Sequence, residues 1–98
     1  MPALTTKQIS LHLQAVPNWS KRVQTIFRTF RFQGFLKSID FVNRIARKAQ
    51  EINHHPDIDI RFDKVTLTLT THDEGGITEK DFSLARKCDD VFARFLVR

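Results

Sequence analysis

The chain has 98 residues, 41% of them apolar, with 16 Lys and Arg against 11 Asp and Glu for a formal net charge of +5. This length suits one domain that folds without metal or disulfides, and the composition excludes a disordered or low-complexity chain. Cys88 is the single cysteine, which excludes a disulfide scaffold and points to a reducing compartment, and no apolar run approaches the roughly 20 residues that cross a bilayer.

One domain over residues 1–98 is therefore expected. The start, Met1-Pro2-Ala3-Leu4-Thr5-Thr6-Lys7-Gln8, lacks the basic and apolar regions of a signal peptide, so a cytoplasmic location is expected. Thr5 and Gln8 have capping-box spacing, with Leu4 and Ile9 placed as a hydrophobic staple. Ile9, Leu13 and Val16 continue as a helical stripe that Pro17 and Asn18 end. A short extended stretch follows from Trp19. The segment Thr25–Phe32 alternates and is rich in β-formers. Ile26, Phe30 and Phe32 share a core face on which Arg28 dissents, and Phe27 dissents on the other face.

After Gly34 comes the strongest helical pattern. Phe35, Ile39, Val42, Ile45, Ala46, Ala49 and Ile52 step by three and four residues. Pro56 ends this helix by about Asn53, because it biases His55 away from helical geometry. Ile58, Ile60 and Phe62 alternate as one strand, and Val65, Leu67 and Leu69 as the next. The short Asp63-Lys64 junction makes them an antiparallel hairpin. Asp73-Glu74-Gly75-Gly76 is a loop. Thr78 and Asp81 have capping-box spacing before a last helix with Phe82, Ala85, Cys88, Val91, Phe92 and Phe95 on one side. The expected fold is α+β, in the order α-β-β-α-β-β-α, with three helices on one face of a four-stranded antiparallel sheet. Its open edges make a homo-oligomer a reasonable default.

The histidines carry the chemistry. His54 and His55 follow a helix C-terminus, and His72 ends the second strand of the hairpin. A hairpin returns its chain, so the three imidazoles converge at one end of the sheet. Imidazole has an unperturbed pKa of about 6.5, which suits it to give and take protons near neutrality. Each also has a plainer reading: His54 as a polar cap, His55-Pro56 as a helix stop, His72 as a loop residue. Asp81 reads as a capping acid or a site residue, and His12 as solvent-facing. A metal site is not expected, because adjacent His in extended chain point to opposite faces. Lys37, Arg44, Arg47 and Lys48 form the best basic patch, but no recognition motif accompanies it, so nucleic acid is not the expected partner.

The sequence resembles the pterin-4a-carbinolamine dehydratases, also known as dimerisation cofactors of a homeodomain transcription factor. The carrying residues are His54-His55-Pro56-Asp57-Ile58, Phe62, Val65, Leu67, Leu69, Thr71-His72-Asp73, Gly75-Gly76-Ile77-Thr78, Asp81 and Leu84-Ala85, with Trp19 and the Ile26/Arg28/Phe30/Phe32/Phe35 spacing upstream. The resemblance implies loss of water from a 4a-hydroxytetrahydropterin to give the quinonoid dihydropterin, with no metal or organic cofactor. This recycles the pterin of aromatic amino-acid hydroxylases, one of which is a potential protein partner. It implies His54 and His72 as the acid–base pair, with their individual roles open, and His55 as the group that holds and polarises the pterin substrate. Pro56 and Phe62 would shape the pocket, and Asp81 would orient a His or cap the helix. It also implies a homodimer or homotetramer. Many relatives carry an acid four residues before the first His. Here that position is Gln50, and Glu51 is about 100° further round the helix. Loss of that carboxylate is expected to weaken the orientation of a His or to lower its pKa. Relatives that act as non-catalytic assembly or coactivator proteins supply the alternative function.

Overall fold

Thr5 starts the first helix, α1 (Thr6–Ala15), through a complete capping box. Its hydroxyl accepts from the Gln8 backbone N–H at 3.2 Å, and the Gln8 side chain accepts from the Thr5 N–H at 2.9 Å. Leu4 packs beside the core and Ile9 is buried in it. The chain then forms β1 (Ser20–Arg22), β2 (Thr25–Arg31), α2 (Phe35–Ile52), β3 (Asp57–Arg61), β4 (Lys64–Leu69) and α3 (Glu79–Leu96). This computed structural model describes residues 2–96.

The four strands form one antiparallel sheet in the order β1-β2-β4-β3. The register pairs Ile26 with Leu69, Phe30 with Val65, and Ile58 with Leu67. Because side chains alternate across a strand, these residues share the face on which the helices lie. Ile26, Phe30, Val65, Leu67 and Leu69 are buried there. The opposite face carries Thr29, Thr66 and Thr68, and the Thr29 and Thr66 hydroxyls lie 2.8 Å apart.

Phe30, Phe32, Phe41, Phe92 and Phe95 meet between the sheet, α2 and α3. Phe32 and Phe92 cross at 90° with centroids 5.4 Å apart. Such edge-to-face pairs add about 0.5–1.5 kcal/mol each beyond burial.

The core stripe of α2 is Ser38, Phe41, Ile45 and Ala49. It lies roughly 50° from the centre of the expected stripe, half of one residue step. Phe41 is therefore fully buried, while Phe35 is 48% exposed. Ala46 is exposed as well. Phe41 is drawn in by the aromatic cluster, a demand that comes from tertiary packing rather than from α2 itself.

Arg28 keeps the inward position that its strand parity dictates, and Asp89 of α3 resolves the conflict. One Asp89 oxygen accepts from Arg28 at 2.7 Å and from the Trp19 indole N–H at 2.8 Å. The guanidinium also lies over Phe30, 4.4 Å from its centroid. The pair is only partly buried, so solvent shares in stabilising both charges.

Phe62 departs from its expected place in a strand. Arg61 pairs with Lys64, so Phe62 and Asp63 form a two-residue turn. Phe62 has φ 53° there and is 67% exposed. Val23 does the same in the β1–β2 turn, at φ 53° and 78% exposed. A tight hairpin needs positive φ to match strand twist, and here that need overrides residue type.

Candidate functional site

The C-terminal turn of α2 places two histidines on different sides. Asn53 takes left-handed geometry, φ 52° and ψ 44°, which Asn tolerates better than most residues. The His54 N–H then returns to the Ala49 carbonyl at 3.0 Å, the bonding pattern of a helix-ending Schellman turn. The reversal drives His54 inward, where it is buried, and leaves His55 exposed. His55 Nε2 lies 2.9 Å from Gln50 Oε1. An amide oxygen can only accept, so His55 donates from Nε2. A neutral acceptor, not a carboxylate, thus meets this ring.

His54 Nε2 sits 2.6 Å from Asp81 Oδ1. Asp81 is fully buried. Its other oxygen accepts from the Thr78 backbone N–H at 2.9 Å and the Thr71 hydroxyl at 2.8 Å. The Thr78 bond is the acid half of a capping box. One oxygen of Asp81 therefore caps α3 and the other meets His54.

His72 stands on a closed loop. Thr71 and Gly76 form an isolated bridge, with Thr71 N–H to the Gly76 carbonyl at 3.0 Å. Between them, His72–Glu74 make one 3-10 turn that ends at Gly75, φ 72°. The His72 ring is exposed. Among the described residues it makes no side-chain hydrogen bond.

The three imidazoles line one open cavity of about 260 Å³, together with Asn53, Thr70, Thr71, Asp73 and Lys80. Pro56 adjoins it, half-buried between His55 and β3. Phe62 lies at the other end of the hairpin, roughly 20 Å away by strand rise. Glu51 lines a separate cleft between α2 and α3, together with Arg44, Arg47, Lys48, Lys87, Asp90 and Arg94. His12 is stacked on Phe82 with centroids 4.9 Å apart, so it is held against the core rather than turned to solvent. Thr71, Asn53 and Lys80 escaped the sequence reading as site residues. Thr71 beside His72, and Thr78 three residues before Asp81, were the available signal.

Cys88 is buried in the core and takes no part in this cavity. Burial pushes its thiol up to about 12, with Asp89 adding to the rise and Arg28 opposing it. Among the described residues no group of three or more His, Cys, Asp or Glu is placed to hold a metal ion. No helix among them is long and apolar enough to cross a membrane.

Residues 2–91 match the family model for pterin 4 alpha carbinolamine dehydratase. A Picosynechococcus sp. protein, provisionally named a pterin-4-alpha-carbinolamine dehydratase, is 48% identical over 88 residues, covering 90% of this chain and 96% of its own. A Chloroflexus aurantiacus protein with the same provisional name is 48% identical over 91 residues, 93% of this chain and 98% of its own. The crystal structure of a transcriptional coactivator/pterin dehydratase from Brucella melitensis superposes with a TM-score of 0.87 at 33% identity, covering 91% of this chain and 97% of that one. A pterin dehydratase-like protein described as a RuBisCO assembly factor in the alpha-carboxysome shares the fold, with a TM-score of 0.62 at 21% identity over 76% of this chain and 86% of that one.

Proposed function

Since the chain belongs to the pterin 4 alpha carbinolamine dehydratase family, we propose that it removes water from a 4a-hydroxytetrahydropterin by histidine acid–base catalysis. The observation that carries this reading is the meeting of His54, His55 and His72 in one cavity. The reaction breaks the C4a–OH bond and the N5–H bond and forms a C4a=N5 double bond. Hydroxide is a poor leaving group until it is protonated, and the N5 electron pair is freed as its proton leaves. An acid at C4a and a base at N5 therefore suffice, and no electrons are exchanged with a cofactor. General acid–base groups contribute typically about 10²–10⁴-fold each.

The roles follow from the partners. His54 directs its Nε2 hydrogen to Asp81, so in the neutral ring Nδ1 holds no proton and serves as the base. His72 has a ring free of side-chain bonds and serves as the acid. It gives its proton to the departing hydroxyl and recovers one from solvent. His55, oriented by Gln50, holds the pterin. Lys80 and Asp73 at the rim supply charge for the polar edge of the ring. The product is the quinonoid dihydropterin, and its formation links the protein to pterin recycling for an aromatic amino-acid hydroxylase in the cytoplasm.

The working form is a homodimer or homotetramer. Strands β1 and β3 are both sheet edges, and Ile58 on β3 is 39% exposed although it faces the helix side. A second reading is an assembly or coactivator role. It is favoured by the descriptions of the Brucella melitensis structure and of the carboxysome protein.

The test is stopped-flow absorbance with a synthetic 4a-hydroxytetrahydropterin. Water loss faster than in buffer, saturating with substrate, supports the dehydratase. A rate equal to buffer removes it. A stable complex with a protein partner that survives replacement of all three histidines would then support the second reading.

A further inference from the structure

We infer that Thr71 and Thr78 are positioning residues for His54, acting through a one-directional hydrogen-bond chain that locks the Asp81 carboxylate. The direction follows from counting hydrogens. A backbone N–H can only donate, and a hydroxyl has one hydrogen. The Lys80 N–H donates to the Thr78 hydroxyl at 3.2 Å. The Thr71 hydroxyl gives its hydrogen to Asp81 Oδ2 at 2.8 Å. Its 2.8 Å contact with the Thr78 hydroxyl must then be one in which Thr78 donates.

The chain runs from Lys80 N–H through Thr78 and Thr71 to Asp81. Thr71, Thr78 and Asp81 are 5%, 0% and 0% exposed, so no water competes for these bonds. With the Thr78 N–H added, Oδ2 accepts twice, and Oδ1 remains for His54. This arrangement fixes the carboxylate plane and selects the His54 tautomer with its hydrogen on Nε2. Thr71 also holds the loop that carries His72, through its bridge to Gly76. One residue therefore sets both members of the proposed acid–base pair.

The effect on catalysis rests on the dehydratase reading, whereas the tautomer of His54 does not. The experiment compares wild type with Thr71→Val and Thr71→Ser. Ring-nitrogen NMR of His54 reports its tautomer, and steady-state kinetics report kcat and KM. Wild type and Thr71→Ser should show one Nε2–H tautomer. In Thr71→Val the tautomers should mix, and kcat should fall by about tenfold, part of the general acid–base contribution. KM should change by less than about twofold, because Thr71 orients the base rather than the substrate. Unchanged tautomer populations in Thr71→Val overturn the inference. So does a kcat loss that Thr71→Ser fails to restore. If wild type shows no dehydration, the dehydratase reading fails and the NMR result still decides the role of Thr71. Should Thr71→Val not fold, Thr71→Ala removes the same hydroxyl without added bulk and is read in the same way.

Discussion

His54 Nε2 lies 2.6 Å from Asp81 Oδ1, joining the residue just beyond the C-terminus of α2 to the first turn of α3. The two are 27 residues apart in sequence. Asp81→Asn should break this arrangement, because an amide brings two hydrogens to a place where three donors already point. With the amide oxygen kept for Thr71 and Thr78, the amide NH2 faces His54, which must then accept on Nε2 and carry its hydrogen on Nδ1, the nitrogen proposed as the base. A loss of about 0.5–1.5 kcal/mol is expected as charge-assisted hydrogen bonds become neutral ones. Urea denaturation measures it, and the dehydration rate should fall by at least about tenfold. Wild-type stability and rate in Asp81→Asn would contradict the geometry.

Gln50 holds His55 with a neutral oxygen. A charge-assisted hydrogen bond is roughly twice as strong as a neutral one, so Gln50→Glu should raise the dehydration rate by about two- to fivefold. Gln50→Ala should lower it by a similar factor. Steady-state kinetics of the two variants check this. An equal rate in both would mean that His55 needs no orienting partner.

Cys88 should be chemically silent in the folded protein. Its thiol is raised from 9.0 to about 12, chiefly by burial, and the thiolate is the reactive form. Iodoacetamide at pH 8 should label the chain only after denaturation. The linkage has a definite sign. The folded pKa lies above the unfolded one, so the contribution of this group to stability is complete below about pH 9 and is lost as pH rises toward 12. Rapid labelling of native protein at pH 8 would contradict the burial.

Val23 and Phe62 occupy left-handed turn positions at φ 53°. That geometry costs a non-glycine residue about 1–2 kcal/mol, and Asn tolerates it better. Both side chains are mostly exposed, so little packing is lost on replacement. Val23→Asn and Phe62→Asn should each stabilise the chain by about 0.5–1 kcal/mol. Thermal denaturation checks the sign. A fall in Tm for Phe62→Asn would mean that the ring packs against something, and a second copy of the chain is the first candidate to examine.

The element order was legible in the sequence because each element announces itself locally. The Thr5–Gln8 capping box, the alternation in β4 and Gly34 before α2 all act within a few residues. The rotation of the α2 stripe toward Phe41 was not legible, since it answers to Phe30, Phe92 and Phe95 on other elements. Arg28 looked like an error in the β2 pattern because its partner, Asp89, lies 61 residues away. At the cavity, hairpin topology was enough to bring the histidines to one end. The two-sided role of Asp81 was not readable, because capping and His binding use different oxygens of one carboxylate. Glu51 drew notice as an acid near Gln50, but a single helical step turns it into the basic cleft with Arg47 and Lys87.

The central claim is that His54 and His72 move the protons of dehydration. Its most direct measurement is the single-turnover rate of 4a-hydroxytetrahydropterin dehydration for wild type, His54→Ala and His72→Ala, each shown folded by circular dichroism. The account predicts catalysis above buffer in wild type and a loss of about 10²-fold or more in each variant. Folded variants that retain the wild-type rate would contradict it.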